Sequence, residues 1–187
     1  MPSTLQVDTI SELTSANGVV VDGVSIKDGT INGLITEADM WRLTTVNTAS
    51  SEVITANLER CDDASFTKIG TGMTESSGIF TFAKTGIYLI HVNAGFKSNS
   101  DALSYGAVKI QVTQDNWGST DDLGLVYNSV SATSYYNGSS VHAFFDCTDT
   151  STHKVKFSKV VNSANFYLEG DSTDNRTSFT FIRLGDT

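Results

Sequence analysis

Short runs of alternating apolar and polar residues fill the chain from about residue 43 to its end. In "AVKIQVT", for example, Val108, Ile110 and Val112 are separated by polar side chains. This period of two is typical of a strand with one buried and one solvated face. The runs recur at roughly ten-residue spacing between clusters of Gly, Asn, Asp and Ser, as in antiparallel sandwiches and barrels. The pattern therefore predicts an all-β head over residues 43–187.

A long stretch of this kind is "GIFTFAKTGIYLIHVNAGF", at residues 78–96. The pair Thr85-Gly86 near its centre marks a tight corner. We therefore predict two strands that pair as a hairpin. Phe80 and Tyr88 are expected to be mostly buried, together with two residues of the final run, Phe179 and Phe181.

Residues 1–35 have a different pattern, with short β-branched runs separated by Asn-Gly and Asp-Gly pairs that favour sharp reversals. The segment has no aromatic residue and too few large side chains to form a core. It is either a solvated tail or an extended segment that buries its Val and Ile residues against sister chains or another protein. The high Val and Ile content favours the second interpretation.

Two groups of residues in this extended segment are candidates for contacts. An extended chain can dock by adding a strand to an exposed sheet edge, with alternate side chains filling pockets. The candidates for such attachment to another protein are Leu5, Val7 and Ile10. The candidates for a strip between sister chains are Val19, Val21, Val24 and Ile26.

Residues 36–42 are expected to form a short helical linker. Thr36 is a suitable N-cap, and Asp39 three residues later completes a weak capping box before Met40 and Trp41.

Composition excludes several classes of partner. The net charge is −9, and the Lys and Arg residues are scattered, so no basic face for nucleic acid is expected. No apolar run approaches the roughly 20 residues that span a bilayer, and the start lacks the pattern of a secretory signal. Cys61 and Cys147 lie far apart in sequence and are expected to be separate buried thiols.

The search for catalytic and metal motifs predicts a non-enzyme without cofactor. No G-x-S-x-G, H-E-x-x-H or phosphate-binding loop occurs. His142 and Cys147 are five apart on one predicted strand, which places them on opposite faces. "DSTDN", at residues 171–175, begins like a calcium loop, but Arg176 and Ile182 stand where Gly and Glu belong. We expect no catalytic residue and no metal ligand.

Three aromatic residues in predicted loops are candidates for recognition of a sugar or protein: Trp117, Tyr135 and Tyr136. Exposed aromatic rings beside amides suit stacking and hydrogen bonding. The alternative interpretation is that these rings cover the rim of the core or a contact between subunits.

The stretch at residues 78–96 resembles the tumour-necrosis-factor-like jelly rolls, the class that includes the globular heads of complement. An aromatic-rich strand, a Gly corner and a Gly-aliphatic-Tyr strand follow one another, as Phe80, Gly86 and Tyr88 do here, and "SFTFIRLG" resembles the last strand of such domains. The resemblance covers residues 43–187 and implies an antiparallel two-sheet jelly roll that packs as a homotrimer. It makes Tyr88, Phe179 and Phe181 candidates for the contact along the three-fold axis.

The opening segment resembles those of small structural proteins of tailed bacteriophages, in "LQVDTISE", "NGVVVDGVSIKDG" and "ADMWRL". This resemblance implies a protein made in the host cytoplasm and carried on the virion surface. Its expected role is a capsid decoration (cement) protein or the knob of a short head or tail fibre. Expected partners are capsid or tail proteins, with a host-surface sugar or protein as a further one. The alternative is a soluble receptor- or carbohydrate-binding jelly-roll module.

Overall fold

A computed structural model describes residues 19–21, 24–27, 30–31, 34–63, 66–99 and 102–187. The described residues form sixteen β-strands and no helix, so no helix among them could cross a membrane. The chain divides into two units at the boundary between Leu34 and Ile35. All strand pairs described below are antiparallel.

The first unit contains three short strands, β1 (Val19–Val21), β2 (Val24–Lys27) and β3 (Thr30–Ile31), paired in that order. In the backbone register, Val19 is opposite Ile26 and Val21 is opposite Val24. The described parts of the predicted extended segment therefore pair with one another as a small sheet. The attachment candidates Leu5, Val7 and Ile10 lie outside the described residues.

The second unit, Ile35–Thr187, consists of two sheets. Sheet I has the order β13-β10-β16-β4-β6, with β15 also paired to β10 and β7 to β4. Its strands are β4 (Ala38–Leu43), β6 (Leu58–Arg60), β7 (Lys68–Ile69), β10 (Gly86–Ser98), β13 (Tyr136–Cys147), β15 (Phe166–Leu168) and β16 (Ser178–Gly185). Sheet II has the order β12-β11-β14-β9-β8, with β5 also paired to β14. Its strands are β5 (Glu52–Val53), β8 (Thr74–Ser76), β9 (Ile79–Thr81), β11 (Leu103–Thr113), β12 (Asp121–Val130) and β14 (Lys154–Val161).

The inward faces of the two sheets form one aromatic-rich core. Phe80 of sheet II contacts Trp41 and Phe181 of sheet I, with ring centroids 5.4 and 5.2 Å apart. Phe157 stacks on Phe179 at 4.3 Å. Alternation accounts for this core, because Val108, Ile110 and Val112 are buried as their spacing predicts. The all-β, two-sheet prediction is confirmed.

The predicted helix at residues 36–42 is wrong, because Ala38–Leu43 form strand β4 within sheet I. Asp39, Trp41 and Leu43 point into the sandwich with the period of two of a strand. Asp39 does not cap a helix. Its carboxylate accepts hydrogen bonds from Trp41 Nε1 at 2.9 Å and from the Met73 amide at 2.7 Å.

The predicted hairpin at residues 78–96 is also wrong. Its two strands exist, but β9 pairs with β8 and β14 of sheet II, whereas β10 pairs with strands of sheet I. The corner therefore carries the chain from one sheet to the other. Gly86 is required there, since its φ is +142° and a Cβ would lie 2.4 Å from the Gly185 carbonyl oxygen.

Tyr88, Phe179 and Phe181 are buried, as expected from their alternation, and each keeps at most 1% of its surface. They point between the two sheets of a single chain. Because almost none of their surface is left for a neighbour, they cannot form the contact along a three-fold axis that the resemblance implied for them. The side chains on the opposite face of the same strands are the ones that a neighbouring chain can contact.

Candidate functional site

The outward face of sheet I carries a partly exposed apolar row where three strands lie side by side. Leu89 of β10 is opposite Phe144 of β13 on one side and Ile182 of β16 on the other. Ile87 and Leu184 extend the row and are exposed. We call these five residues the Phe144 face.

Phe144 is 62% exposed although it lies within a long strand of a sheet. Neighbouring Phe145 points inward and is buried. An aligned row of apolar side chains across three strands is the arrangement that stabilises a sheet face when another layer covers it. Covering one large apolar side chain contributes roughly 1.5–3 kcal/mol, so the Phe144 face is suited to contact with another protein surface.

The same outward face becomes polar beyond this row. His91 is opposite His142 on β13 and Thr180 on β16. The next pair along the strands is Asn93 and Ser140. An apolar core beside a polar border is the usual composition of a protein–protein interface.

Trp117 lies in the loop between β11 and β12, where an acidic side chain fixes the backbone. Asp115 accepts hydrogen bonds from Thr113 Oγ1 at 2.7 Å and from the Ser119 amide at 2.8 Å. These hydrogen bonds, the one from the Ser119 amide having the largest effect and the one from the Thr113 hydroxyl the next, lower the pKa of Asp115 to about 2.

The backbone of Trp117 is strained, with φ +71°. The ammonium of Lys156 sits 3.9 Å from the centre of the Trp117 ring, and the indole N–H has no hydrogen-bond partner among the described residues. A strained, tightly held aromatic side chain in a loop is compatible with recognition. Its half-buried ring also packs against Lys156 of the same chain.

Tyr136 is the first residue of β13 and Tyr135 directly precedes it, and both are exposed. The Lys97 ammonium is 5.2 Å from the centre of the Tyr136 ring. Strand β12 separates these residues from Trp117, because the Trp117 loop precedes β12 and Tyr135 follows it. The three recognition candidates therefore lie at opposite ends of the sandwich and do not form one site.

A pair of tyrosines that sequence reasoning missed borders a groove on sheet II. Tyr105 of β11 and Tyr127 of β12 are exposed and meet edge to face, with ring centroids 5.9 Å apart. The groove of about 420 Å³ is also lined by Ser104, Asn128 and Ser129. The alternation of exposed Leu123, Leu125 and Tyr127 along β12 is the sequence signal that could have revealed this surface.

Arg42 and Glu37 are buried charges of the head that are paired and serve structure. The guanidinium of Arg42 contacts Glu59 and Asp62, each at 2.6 Å. The Glu37 carboxylate contacts the Lys84 ammonium at 2.7 Å. Burial acts to raise the pKa of Glu37, but the Lys84 and Gly72 hydrogen bonds outweigh it and lower the pKa.

The structure does not bring the histidines and cysteines together as catalytic pairs. His142 is exposed on the outward face of β13, whereas Cys147 is buried on the inward face. Burial raises the pKa of Cys147 to about 11 and also raises that of Cys61, which keeps both thiols protonated. Both cysteines are free, as the sequence predicts. The ring of His153 is hydrogen-bonded to the hydroxyls of Thr148 and Thr152.

The loop at residues 171–175 is held by its own side chains and by Arg176. Asp171 Oδ1 accepts a hydrogen bond from the Thr173 amide at 2.8 Å. The Arg176 guanidinium lies 2.8 Å from Asp171 and 3.5 Å from Asp174, and so supplies the positive charge at this loop. Within the part of the chain that the structure describes, no group of three or more His, Cys, Asp or Glu side chains is placed to hold a metal ion.

No protein-family model and no curated protein matches this sequence. Solved structures do match. The crystal structure of murine APRIL at pH 5.0 has a TM-score of 0.58 and 15% identity, over 79% of this chain and 98% of that chain. Eiger TNF from S. frugiperda has a TM-score of 0.57 and 11% identity, over 80% of this chain and 93% of that chain. Identities this low concern the fold, and they establish that the head is a jelly roll of the tumour-necrosis-factor type.

Proposed function

We propose that this chain is a non-enzymatic structural head that assembles as a homotrimer through the Phe144 face. The observation that carries the proposal is the outward row across three strands in which exposed Phe144 lies beside half-buried Leu89 and Ile182. One chain leaves this row in water, whereas a closed cyclic assembly covers it in every subunit.

Size measurement in solution tests the assembly. Light scattering of the full chain is expected to give three times the chain mass of 20.1 kDa. Phe144→Glu places a charge in the contact and is expected to yield monomers. Tyr127→Glu is the matched control, because Tyr127 is 61% exposed on the outward face of the other sheet, and it should remain a trimer. A monomeric wild type, a dimer, or an unaffected Phe144→Glu variant would overturn the proposal.

The biological role we propose is on the surface of a tailed-phage particle, as a capsid decoration (cement) protein or the knob of a short head or tail fibre. Support comes from the resemblance of the opening segment to phage structural proteins, while the solved neighbours support the head fold alone. Mass spectrometry of purified particles separates the two roles, since a decoration protein is present in many copies and a fibre knob in few. Absence from particles would contradict both.

The tyrosine groove favours a second candidate, a soluble module that binds a receptor or carbohydrate. Two exposed rings beside hydroxyl and amide groups are suited to stacking on a sugar and hydrogen bonding to its hydroxyls. A glycan array probed with the wild type and with Tyr127→Ala tests this role. The second candidate would be favoured over the first if glycan binding depends on Tyr127 and the protein is absent from purified particles.

A further inference from the structure

Lys159 of strand β14 is buried inside the sandwich without a carboxylate partner. Its side chain is 0% exposed, and no ion pair joins it to a carboxylate of the described residues. The ammonium donates hydrogen bonds to the Asn47 carbonyl oxygen at 3.0 Å, to Asn47 Oδ1 at 3.2 Å and to the Ala49 carbonyl oxygen. A buried amine held only by neutral oxygens loses its proton more easily than one in water.

The side-chain amide of Asn47 is fixed against this amine. Its Oδ1 also accepts a hydrogen bond from the Ala49 amide at 3.1 Å, and its Nδ2 donates to Glu52 Oε1 at 3.2 Å. The Asn47 backbone is held by two hydrogen bonds to Leu168, of 2.9 and 3.2 Å. Because a C=O bond is about 1.2 Å long, Lys159 Nζ lies at most about 4.4 Å from the Asn47 amide carbon.

Glu52 stands beside both groups. It is the register partner of Lys159 on strand β5, and its carboxylate already binds the amide nitrogen of Asn47. Glu52 is exposed to solvent and Asn47 is half-buried, so the Asn47 amide lies at the solvent edge of the site, where a small molecule can leave. The arrangement places a nucleophilic amine, a polarised amide and a proton-transfer group in one cluster.

We propose that Lys159 and Asn47 join in an intramolecular isopeptide bond, with Glu52 as the proton-transfer residue. The lone pair of the neutral Lys159 Nζ forms a bond to the Asn47 amide carbon. The carbonyl electrons move to Oδ1, where the Ala49 N–H stabilises the negative charge.

The bond from the Asn47 amide carbon to Nδ2 then breaks, and Glu52 passes one proton from Nζ to the departing nitrogen, which leaves as ammonia. One amine and one primary amide become one secondary amide and one ammonia. The reaction therefore needs no oxidant, metal or cofactor.

One property of the site favours the reaction, and the spacing of the two residues makes the product stabilising. Burial lowers the pKa of Lys159 to about 8, against the opposing charge of Glu52, so the nucleophilic form is populated near neutral pH. The joined residues are separated by 112 positions. A covalent link between them would restrict the unfolded chain strongly and tie the segment before β5 to the centre of sheet II.

Intact-mass spectrometry of the full-length protein, incubated at mildly alkaline pH, tests the proposal. The wild type is expected to be lighter than its sequence mass by one ammonia, and a protease digest should contain the Asn47 and Lys159 peptides joined together. The linked peptide is essential, because Asn-Gly pairs such as Asn137-Gly138 also lose ammonia when they form succinimides.

Three variants complete the test. Lys159→Arg keeps a buried cation and Glu52→Gln keeps the size of an exposed side chain, and both are expected to yield no linked peptide. Lys154→Arg, on the same strand, is the matched control and should yield it at the wild-type level. A folded wild type without the linked peptide after prolonged incubation would overturn the bond. Bond formation at an unchanged rate in Glu52→Gln would overturn the role of Glu52.

Discussion

Asp39 shows how one buried carboxylate organises the start of the head. It is 2% exposed, and its two oxygens accept hydrogen bonds from the Arg60 guanidinium, from Nε at 2.9 Å and from Nη2 at 3.1 Å. It also accepts hydrogen bonds from Trp41 Nε1 and from the Met73 amide. Strands β4 and β6 and the segment before β8 therefore depend on this one side chain.

Asp39→Ala is expected to lower the free energy of unfolding by about 3 kcal/mol, because it leaves the Met73 amide and the Trp41 indole without their acceptor and Arg60 without its carboxylate partner. Urea denaturation followed by fluorescence measures the change. Asp121→Ala, at an exposed position, is the control and should stay within about 0.5 kcal/mol. Equal losses in the two variants would contradict the role assigned to Asp39.

The lowered pKa of Asp115 predicts that the protein becomes less stable in acid. Its folded pKa of about 2 lies below the ordinary value of 3.8. The folded state therefore holds fewer protons than the unfolded state between these values, and the stabilisation is present above pH 4 and lost as the pH falls towards 2. Asp115→Asn has no such titration. Its denaturation midpoint should fall less steeply than that of the wild type between pH 5 and pH 2, and parallel profiles would argue against the prediction.

At the level of elements, the crossing from β9 to β10 depends on Gly86. Gly86→Ala is expected to cost about 1–3 kcal/mol of stability, because alanine disfavours φ +142° and its Cβ would meet the Gly185 carbonyl oxygen. Gly138→Ala is the matched control, since its Cβ would meet only the Ala94 carbonyl oxygen at 3.9 Å. Denaturation midpoints that shift equally in the two variants would show that the crossing tolerates a side chain.

At the level of the whole molecule, the boundary after Leu34 separates a head with its own aromatic core from the opening segment. Removal of residues 1–35 is expected to leave the thermal midpoint and oligomer size of the head unchanged. If the proposed phage role holds, the truncated protein should no longer bind to phage particles that were prepared without the full-length protein. Sedimentation with such particles measures this, and retained binding would assign docking to the head instead.

Alternation along the chain was enough to predict the strands of the head and much of its core. Val108, Ile110 and Val112 are buried as predicted, and Phe80 lies at the centre of the aromatic cluster. Such predictions succeed because the side-chain period of a strand is a local property of the backbone. The same local reasoning placed a helix at residues 36–42, where pairing of β4 with β16 and β6 overrides a weak capping signal.

Pairing between distant segments, in contrast, could be known only from the folded chain. Phe144 and Phe145 are chemically identical neighbours, and the position of sheet II alone determines that Phe145 enters the core while Phe144 faces outward. From the sequence, Lys159 is one more polar residue on an alternating strand. The fold brings Asn47 to its amine and places Glu52 opposite it in the strand register. Contacts across more than a hundred residues depend on which strands become neighbours, and that choice reflects the free energy of the whole sandwich rather than any local pattern.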